Sequence, residues 1–264
     1  MDIKKLLYKA IQSALMAGEE ILKVYNSNFD VEQKEDNSPL TLADKKAHEA
    51  ISNLLKSTDY PVLSEEGQDM PYEERANLPY FWMVDPLDGT KEFVKRNGEF
   101  TVNIALIHQQ RAILGVIYVP VTKMLYYGAK ELGSYKLEIT SFLNMDLQSI
   151  MSRSVKLPMT ERPETFTVVA SRSHLSETTR DFIDGLKQEH KEVNFISSGS
   201  SIKLCIVAEG NADVYPRFAP TMEWDTAAGQ AICEAAGKQV IDYKTNKPLL
   251  YNKPVLLNNW FIVS

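Results

Sequence analysis

The sequence predicts a mixed α/β protein in which a mostly antiparallel half is followed by an α/β half. Three runs of strand composition, Thr101 to Ile107, Ala112 to Val119 and Met124 to Tyr127, follow one another at hairpin spacing, the signature of a meander. From Phe166 onward, strand-like and helix-like segments alternate instead, and β-α-β-α-β order favours an α/β arrangement. The scale agrees: 264 residues, 44% of them hydrophobic, can bury a substantial core as one large domain or two closely packed ones.

Taken in order, Ile3, Leu6, Leu7, Ile11, Leu15, Ile21 and Leu22 recur at helical spacing and predict an amphipathic helix over 2–26. Val31 to Glu35 reads as short and extended, and Asp36-Asn37-Ser38-Pro39 as a turn. A second helix is expected from Asp44 to Lys56, with Ala43, Ala47, Ile51, Leu54 and Leu55 on its apolar side. Tyr60 to Leu63 reads as a strand leading into Ser64-Glu65-Glu66-Gly67, and Tyr80 to Val84 as a buried strand running into Asp85-Pro86-Leu87-Asp88-Gly89-Thr90. After the meander, residues 129–165 are polar and weakly periodic, which suggests a variable excursion or a connection between halves. Beyond them come a strand at 166–170, a helix over 176–189 capped by Ser176, and a strand at 193–197. A Ser-rich loop then turns into helix by Glu209, a short strand covers 213–215, and a helix from Asp225 to Ala236 is closed by Gly237.

Composition excludes several classes. The net charge of −6 comes with no Lys/Arg run, which argues against a nucleic-acid polymer as partner. No apolar run approaches the roughly 20 residues that span a bilayer, and the N-terminal stretch is amphipathic rather than signal-like. Cys205 and Cys233 fall in helical segments among apolar residues and read as reduced core thiols. A cytoplasmic location is the expectation.

The chemistry sits in carboxylates at element ends. Asp85 and Asp88 stand three apart around a Pro-stiffened turn, so both can face one point with the Leu87 carbonyl left free. Hard oxygen donors of this kind suit magnesium. Glu65, from another strand end, completes a first site, and Asp225 can share a second ion with Asp88. Two such ions, about 3.5–4 Å apart, would neutralise a phosphoryl group, activate a water and stabilise the leaving alkoxide. Asp44 and Thr90 are candidates to orient or deprotonate that water. Each piece has a plain alternative: Asp85 to Gly89 as a simple turn, Asp225 as an N-cap, Glu65-Glu66 as solvated acids, Asp44 as a first-turn helix carboxylate. Their joint order is what points to a phosphate ester.

That order also carries a resemblance. Asp85-Pro-Leu-Asp-Gly-Thr90, followed far downstream by Trp224-Asp225-Thr-Ala-Ala228, together with Thr41-Leu-Ala-Asp44 and Ser64-Glu65-Glu66, resembles the signature segments of the inositol-monophosphatase-like superfamily over essentially the whole chain. Within it, the chain looks most like the bacterial 3'(2'),5'-bisphosphate nucleotidases, on Lys34-Glu-Asp-Asn-Ser-Pro-Leu-Thr41, Ser171-Arg-Ser-His174-Leu, Ser198-Gly-Ser200-Ser-Ile-Lys203 and Tyr215-Pro-Arg217. The resemblance implies a layered αβαβα sandwich, with an N-terminal antiparallel-sheet half over 1–135 carrying most metal ligands. A C-terminal α/β half over 136–264 would carry the nucleotide-binding residues and Asp225.

It implies metal ligation by Glu65, Asp85, the Leu87 carbonyl, Asp88 and Asp225, with two or three Mg2+ ions. Water activation would fall to Asp44 and Thr90, and substrate contacts to Glu65, Gly89, Thr90, His174, Ser200, Lys203, Arg217 and Asp225. Asp36 would stand beside the site without being a ligand. The implied reaction removes the 3'-phosphate of 3'-phosphoadenosine 5'-phosphate, giving AMP and phosphate, in sulfur assimilation. Lithium inhibition and peripheral association with the inner face of the cell membrane are further implications of the resemblance. An inositol monophosphatase or a sugar bisphosphatase would use the same metal residues, and a silent nucleotide-binding protein is the reading from another class. The sequence does not set the oligomeric state.

Overall fold

The computed structural model of the protein describes residues 1–27, 31–33, 39–140, 145–159, 164–171 and 176–264, with 31–33 and 39–41 by backbone alone. The expected turn at 36–39 therefore lies largely outside the described residues, as do Lys34, Asp36 and His174.

Helix α1 (Ile3–Tyr25) starts under an Asp2 cap, whose side chain accepts from Lys5 N. Strands β1 (Val31–Gln33) and β2 (Pro39–Thr41) pair antiparallel and lead into α2 (Leu42–Leu55). Then follow β3 (Val62–Ser64), α3 (Tyr72–Arg75), β4 (Tyr80–Asp88) and α4 (Thr90–Val94). The meander is β5 (Thr101–His108), β6 (Arg111–Val119) and β7 (Met124–Ala129).

Residues 129–165 are a correction to the sequence reading. They are largely no excursion, because β8 (Gly133–Glu138) and, after α5 (Leu147–Arg153), β9 (Val155–Leu157) extend the same sheet. Seven strands result, ordered β3 to β9 in chain order. Only the β3–β4 pair is parallel.

Alternation along these strands sorts side chains between two faces. Trp82, Val84, Ile104 and Val116 pack with Leu7, Ile11 and Ile51 of α1 and α2. Phe81, Met83, Ala105 and Ile117 turn the other way, toward Leu204, Ala228 and Ile232. Those three belong to α7 (Ile202–Glu209) and α8 (Glu223–Ala235), which form the middle helical layer.

Beyond that layer, β10 (Phe166–Ser171) runs parallel to β11 (Val193–Ser198). Strand β12 (Tyr215–Arg217) joins β13 (Val240–Asp242), β14 (Lys247–Pro248) and β15 (Phe261–Val263) in a second sheet of order β12-β15-β13-β14. A parallel bridge from Val168 to Val214 links the two groups. Helix α6 (Glu177–Glu189), capped by Ser176 as expected, covers the far side through Ile183 against Val168 and Val214. The layers are thus αβαβα, as the resemblance implies.

Two features hold α8 in place. Gly115 and Gly128 are cross-strand partners on β6 and β7, and the helix lies directly on them. A Cβ at Gly115 would stand 2.1 Å from the Ala228 carbonyl oxygen, and one at Gly128 would stand 3.2 Å from Ile232 Cα. At the start of the helix, fully buried Glu223 accepts from Asn252 N at 2.5 Å and Lys253 N at 3.1 Å, and pairs with Lys253 Nζ at 2.5 Å. Arg75 reaches the same segment, donating to Asn252 Oδ1 at 2.8 Å and the Lys253 carbonyl at 2.9 Å. Burying these charges is tolerable because Glu223 is paired with Lys253 and the Arg75 guanidinium is satisfied by neutral oxygens.

Candidate active site

The site begins with an irregularity in β4. Asp85 stands opposite Asn103 and Asp88 opposite Thr101, so three steps along β4 match two along β5. In a regular strand, residues three apart face opposite sides. The extra residue of this bulge brings Asp85 and Asp88 to the same face, and it coincides with Pro86, which has no N–H for the ladder. Asp85 Oδ1 accepts from Leu87 N at 3.1 Å. Gly89, directly after Asp88, has φ +94°, and a Cβ there would stand 3.2 Å from the Glu99 carbonyl oxygen. Glycine thus permits the left-handed turn that ends β4 and begins α4.

Carboxylate oxygens of Glu65, Asp85 and Asp225 lie within 4.8 Å of one another. Glu65 follows β3 and is held by its N–H to the Val84 carbonyl at 3.1 Å. Asp225 is not the N-cap that its sequence position allows. Helix α8 starts two residues earlier under Met222, and Asp225 occupies the third helical position, accepting from Met222 N at 2.9 Å.

Burial raises the Asp85 carboxyl well above its ordinary range, and the charges of Glu65, Asp88, Asp225 and Asp44 add to the shift. Asp225 is raised likewise by burial, then by Asp88 and Glu65, against lowering by the Met222 N–H and by Arg217. Oxygen donors crowded at mutual electrostatic cost fit a divalent cation, which relieves the repulsion.

Asp88 stands slightly apart. Its Oδ2 accepts from Ser200 Oγ at 2.6 Å, Ser201 N at 2.7 Å and Ser201 Oγ at 2.8 Å. The serines lie on the loop from β11 to α7, where Ser200 has φ +49°, a conformation uncommon for a residue with a Cβ. Lys203, only 4% exposed, holds this loop from beneath, donating from Nζ to the Ser198 carbonyl at 3.2 Å and to the Ser200 carbonyl. Burial, helped by Arg217, brings the ammonium down to about 8 against the opposing charges of Asp88, Glu92 and Glu99.

Asp88, Gly89, Ser200, Lys203, Arg217 and Asp225 line one cavity of about 110 Å3, which Glu92, Ser171 and Tyr215 also border. Arg217 Nη2 donates to the Pro220 carbonyl at 2.9 Å, while its Nε is buried with no hydrogen-bond partner among the described residues. Thr90 Oγ1 reaches the Leu87 carbonyl at 3.5 Å. Asp44 is buried in the first turn of α2 and adds its charge to the field at Asp85.

Sequence reading missed Thr101, Asn103 and Ser201 as part of this site. Thr101 Oγ1 donates to Asn103 Oδ1 at 2.9 Å, and Asn103 Nδ2 donates to Ser201 Oγ at 2.9 Å. The available signal was two polar residues, two apart, at the start of a strand that is otherwise apolar up to His108.

Comparison with known proteins gives a consistent picture. The inositol monophosphatase family matches residues 2–262. The 3'(2'),5'-bisphosphate nucleotidase CysQ of Escherichia coli (strain K12) is 45% identical over 265 residues, covering 98% of this chain and 99% of that one. Its namesake from Haemophilus influenzae is 30% identical over 262 residues, covering 98% and 92%. Among solved structures, CysQ from Bacteroides thetaiotaomicron, described as a bacterial member of the inositol monophosphatase family, superposes with a TM-score of 0.93. It is 52% identical, over 100% of this chain and 98% of that one. The extragenic suppressor protein SuhB from Bartonella henselae aligns with a TM-score of 0.74 at 25% identity, covering 98% and 93%.

Proposed function

The chain belongs to the inositol monophosphatase family, and from that premise we propose that it is a 3'(2'),5'-bisphosphate nucleotidase releasing the 3'-phosphate of 3'-phosphoadenosine 5'-phosphate. The observation that carries the substrate assignment is that one cavity is lined by charges of both signs: Asp88 and Asp225 of the acidic cluster, and Lys203 with Arg217. A substrate with one phosphate answers the metal site alone; the second phosphate of a bisphosphate gives the two cations an anionic partner.

In this reading Glu65, Asp85, Asp88, Asp225 and the Leu87 carbonyl hold two or three magnesium ions. When bound, the ions neutralise the phosphoryl oxygens and lower the pKa of the attacking water. Thr90, fixed against the Leu87 carbonyl, orients that water, and buried Asp44 draws off its proton. Gly89, which lines the cavity beside Asp88, is assigned to contact the phosphate. Ser200 and His174, the latter outside the described residues, border the nucleoside.

Arg217 contacts the second phosphate, which gives its buried Nε the acceptor it lacks. The ligand-bearing half is assigned to 1–135 and the nucleotide-binding half to 136–264, with β8 and β9 carrying the first sheet past that boundary. No helix among the described residues is long and apolar enough to cross a membrane. We place the enzyme in the cytoplasm, in keeping with two buried free thiols.

The test is phosphate release from 3'-phosphoadenosine 5'-phosphate, inositol monophosphate and fructose 1,6-bisphosphate, side by side in magnesium with and without lithium. We expect kcat/KM for the nucleotide to lead by about 100-fold or more, equivalent to nearly 3 kcal/mol; comparable values on all three would overturn the assignment. Arg217→Ala should raise KM for the bisphosphate about 10- to 100-fold, as expected for a lost charged contact, and leave a 3'-monophosphate within about 2-fold. Equal losses on both substrates would remove the second-phosphate role.

A pH signature follows from Lys203. Burial brings its ammonium down to about 8, and a phosphate prefers the protonated form. The bisphosphate-to-monophosphate KM ratio should therefore be flat below that pH and rise above it. A constant ratio from about pH 6.5 to 9.5 would show that Lys203 does not sense the second phosphate.

A further inference from the structure

Asn103 is fully buried on β5, opposite Asp85, and shares the inner face of the sheet with Thr101. The Thr101 hydroxyl donates to Asn103 Oδ1, which turns the amide so that Nδ2 points at Ser201 Oγ. Ser201 is 3% exposed, and its hydroxyl lies 2.8 Å from Asp88 Oδ2 and 2.6 Å from the Asp225 carbonyl. A hydroxyl that accepts an N–H must direct its single proton elsewhere. Here the acceptors within reach are a side chain and a backbone oxygen of two residues in the acidic cluster. We propose that Asn103 and Ser201 are positioning residues for the metal site, a buried relay from the meander that fixes Asp88 and the first turn of α8 in register.

The relay has a specific consequence for Asp88. Ser200 Oγ and Ser201 N donate to Oδ2, and Ser201 Oγ shares its one proton between that oxygen and the Asp225 carbonyl, so Oδ2 is committed to the loop and Oδ1 is the one offered to an ion. Without the relay the carboxylate regains rotation about its last bond, and the site loses preorganisation before it loses any ligand. The contacts join residues 98 and 113 positions apart, which ties the sheet bearing Asp85 to the helix bearing Asp225.

The inference rests on the metal site proposed above, not on the identity of the nucleotide. It is tested on the full chain by Mn2+ binding to substrate-free protein, followed by electron paramagnetic resonance, beside magnesium titrations of activity. Ser201→Ala and Asn103→Leu should each weaken Mn2+ binding about tenfold and raise the magnesium needed for half-maximal activity by the same factor. KM for the bisphosphate at saturating magnesium should stay within about twofold. The double variant should be little worse than either single one, since both break one chain of contacts, and Ser201→Thr, which keeps the γ-oxygen, should recover most of the binding.

Wild-type Mn2+ affinity in Ser201→Ala would overturn the proposal, as would metal affinity and KM falling together. Should Asn103→Leu fail to fold, Ser201→Ala and Ser201→Thr decide alone. Absence of Mn2+ binding in the unmodified protein would instead count against the metal site itself.

Discussion

Asp85→Asn should abolish turnover, lowering kcat about 1,000-fold or more, while making the metal-free protein more stable. Both effects have one cause. Asp85 is buried among Glu65, Asp88, Asp225 and Asp44, and its carboxyl is held well above the ordinary range. Charge there is useful only when a cation answers it. Asparagine keeps an oxygen to accept the Leu87 N–H and removes the repulsion, so a gain of about 1–3 kcal/mol in the metal-free protein is expected.

The same reasoning fixes a pH slope. Because the native carboxyl binds its proton more tightly than the unfolded one, stability in chelator should fall as pH rises from the ordinary carboxylate range through the raised value. The variant should flatten that slope. Thermal melts in chelator across pH, with a phosphate-release assay in magnesium, check both halves. A variant that loses activity and stability together in chelator would show that the cluster is not strained by charge.

Gly115→Ala should lower stability by about 3 kcal/mol, or about 6–12 °C in Tm for a chain of this size. The added Cβ would collide with the Ala228 carbonyl oxygen at 2.1 Å and its carbon at 2.9 Å. Those are backbone atoms, so no rotamer change relieves the clash and α8 has to move as a unit. Asp225 rides on its first turn, and activity should fall along with stability. Gly185→Ala is the control, since a Cβ there meets nothing within 4 Å in the exposed helix α6; it should be neutral or stabilising by up to about 1 kcal/mol. A Gly115→Ala melting point within about 2 °C of the unmodified protein would show that α8 is not seated as described.

How much of this was legible beforehand depends on the range of the forces involved. Helix α1 was readable because burial recurs at every third or fourth position, and the meander because its strands, buried on both faces, form near-continuous apolar runs separated by short turns. The extension of the sheet through β8 and β9 was not. Gly133-Ser-Tyr-Lys-Leu-Glu138 is half-polar near the sheet's edge, and a three-residue strand carries no period at all. In the site, Glu65, Asp85 and Asp225 were visible from local motifs, and the structure brings their oxygens together. The start of α8 was misplaced because an aspartate before a helix and one at its third position look alike in sequence. Thr101, Asn103 and Ser201 were missed because their meaning comes from a contact across 98 positions.

The order of the second sheet bears on how the protein is made. Strand β15 lies between β12 and β13, yet it is the last of the four to leave the ribosome. Until Phe261, Ile262 and Val263 emerge, Tyr215 to Arg217 have no ladder partner there and Val240 to Asp242 have only β14. The meander, built from neighbours in sequence, can form early, whereas the wall carrying Arg217 waits for translation to pass its central strand. A stalled or prematurely terminated nascent chain would thus display a finished first sheet beside a second one whose β12 and β13 lack their common partner, and unpaired strand edges of this kind are what chaperones bind and proteases remove.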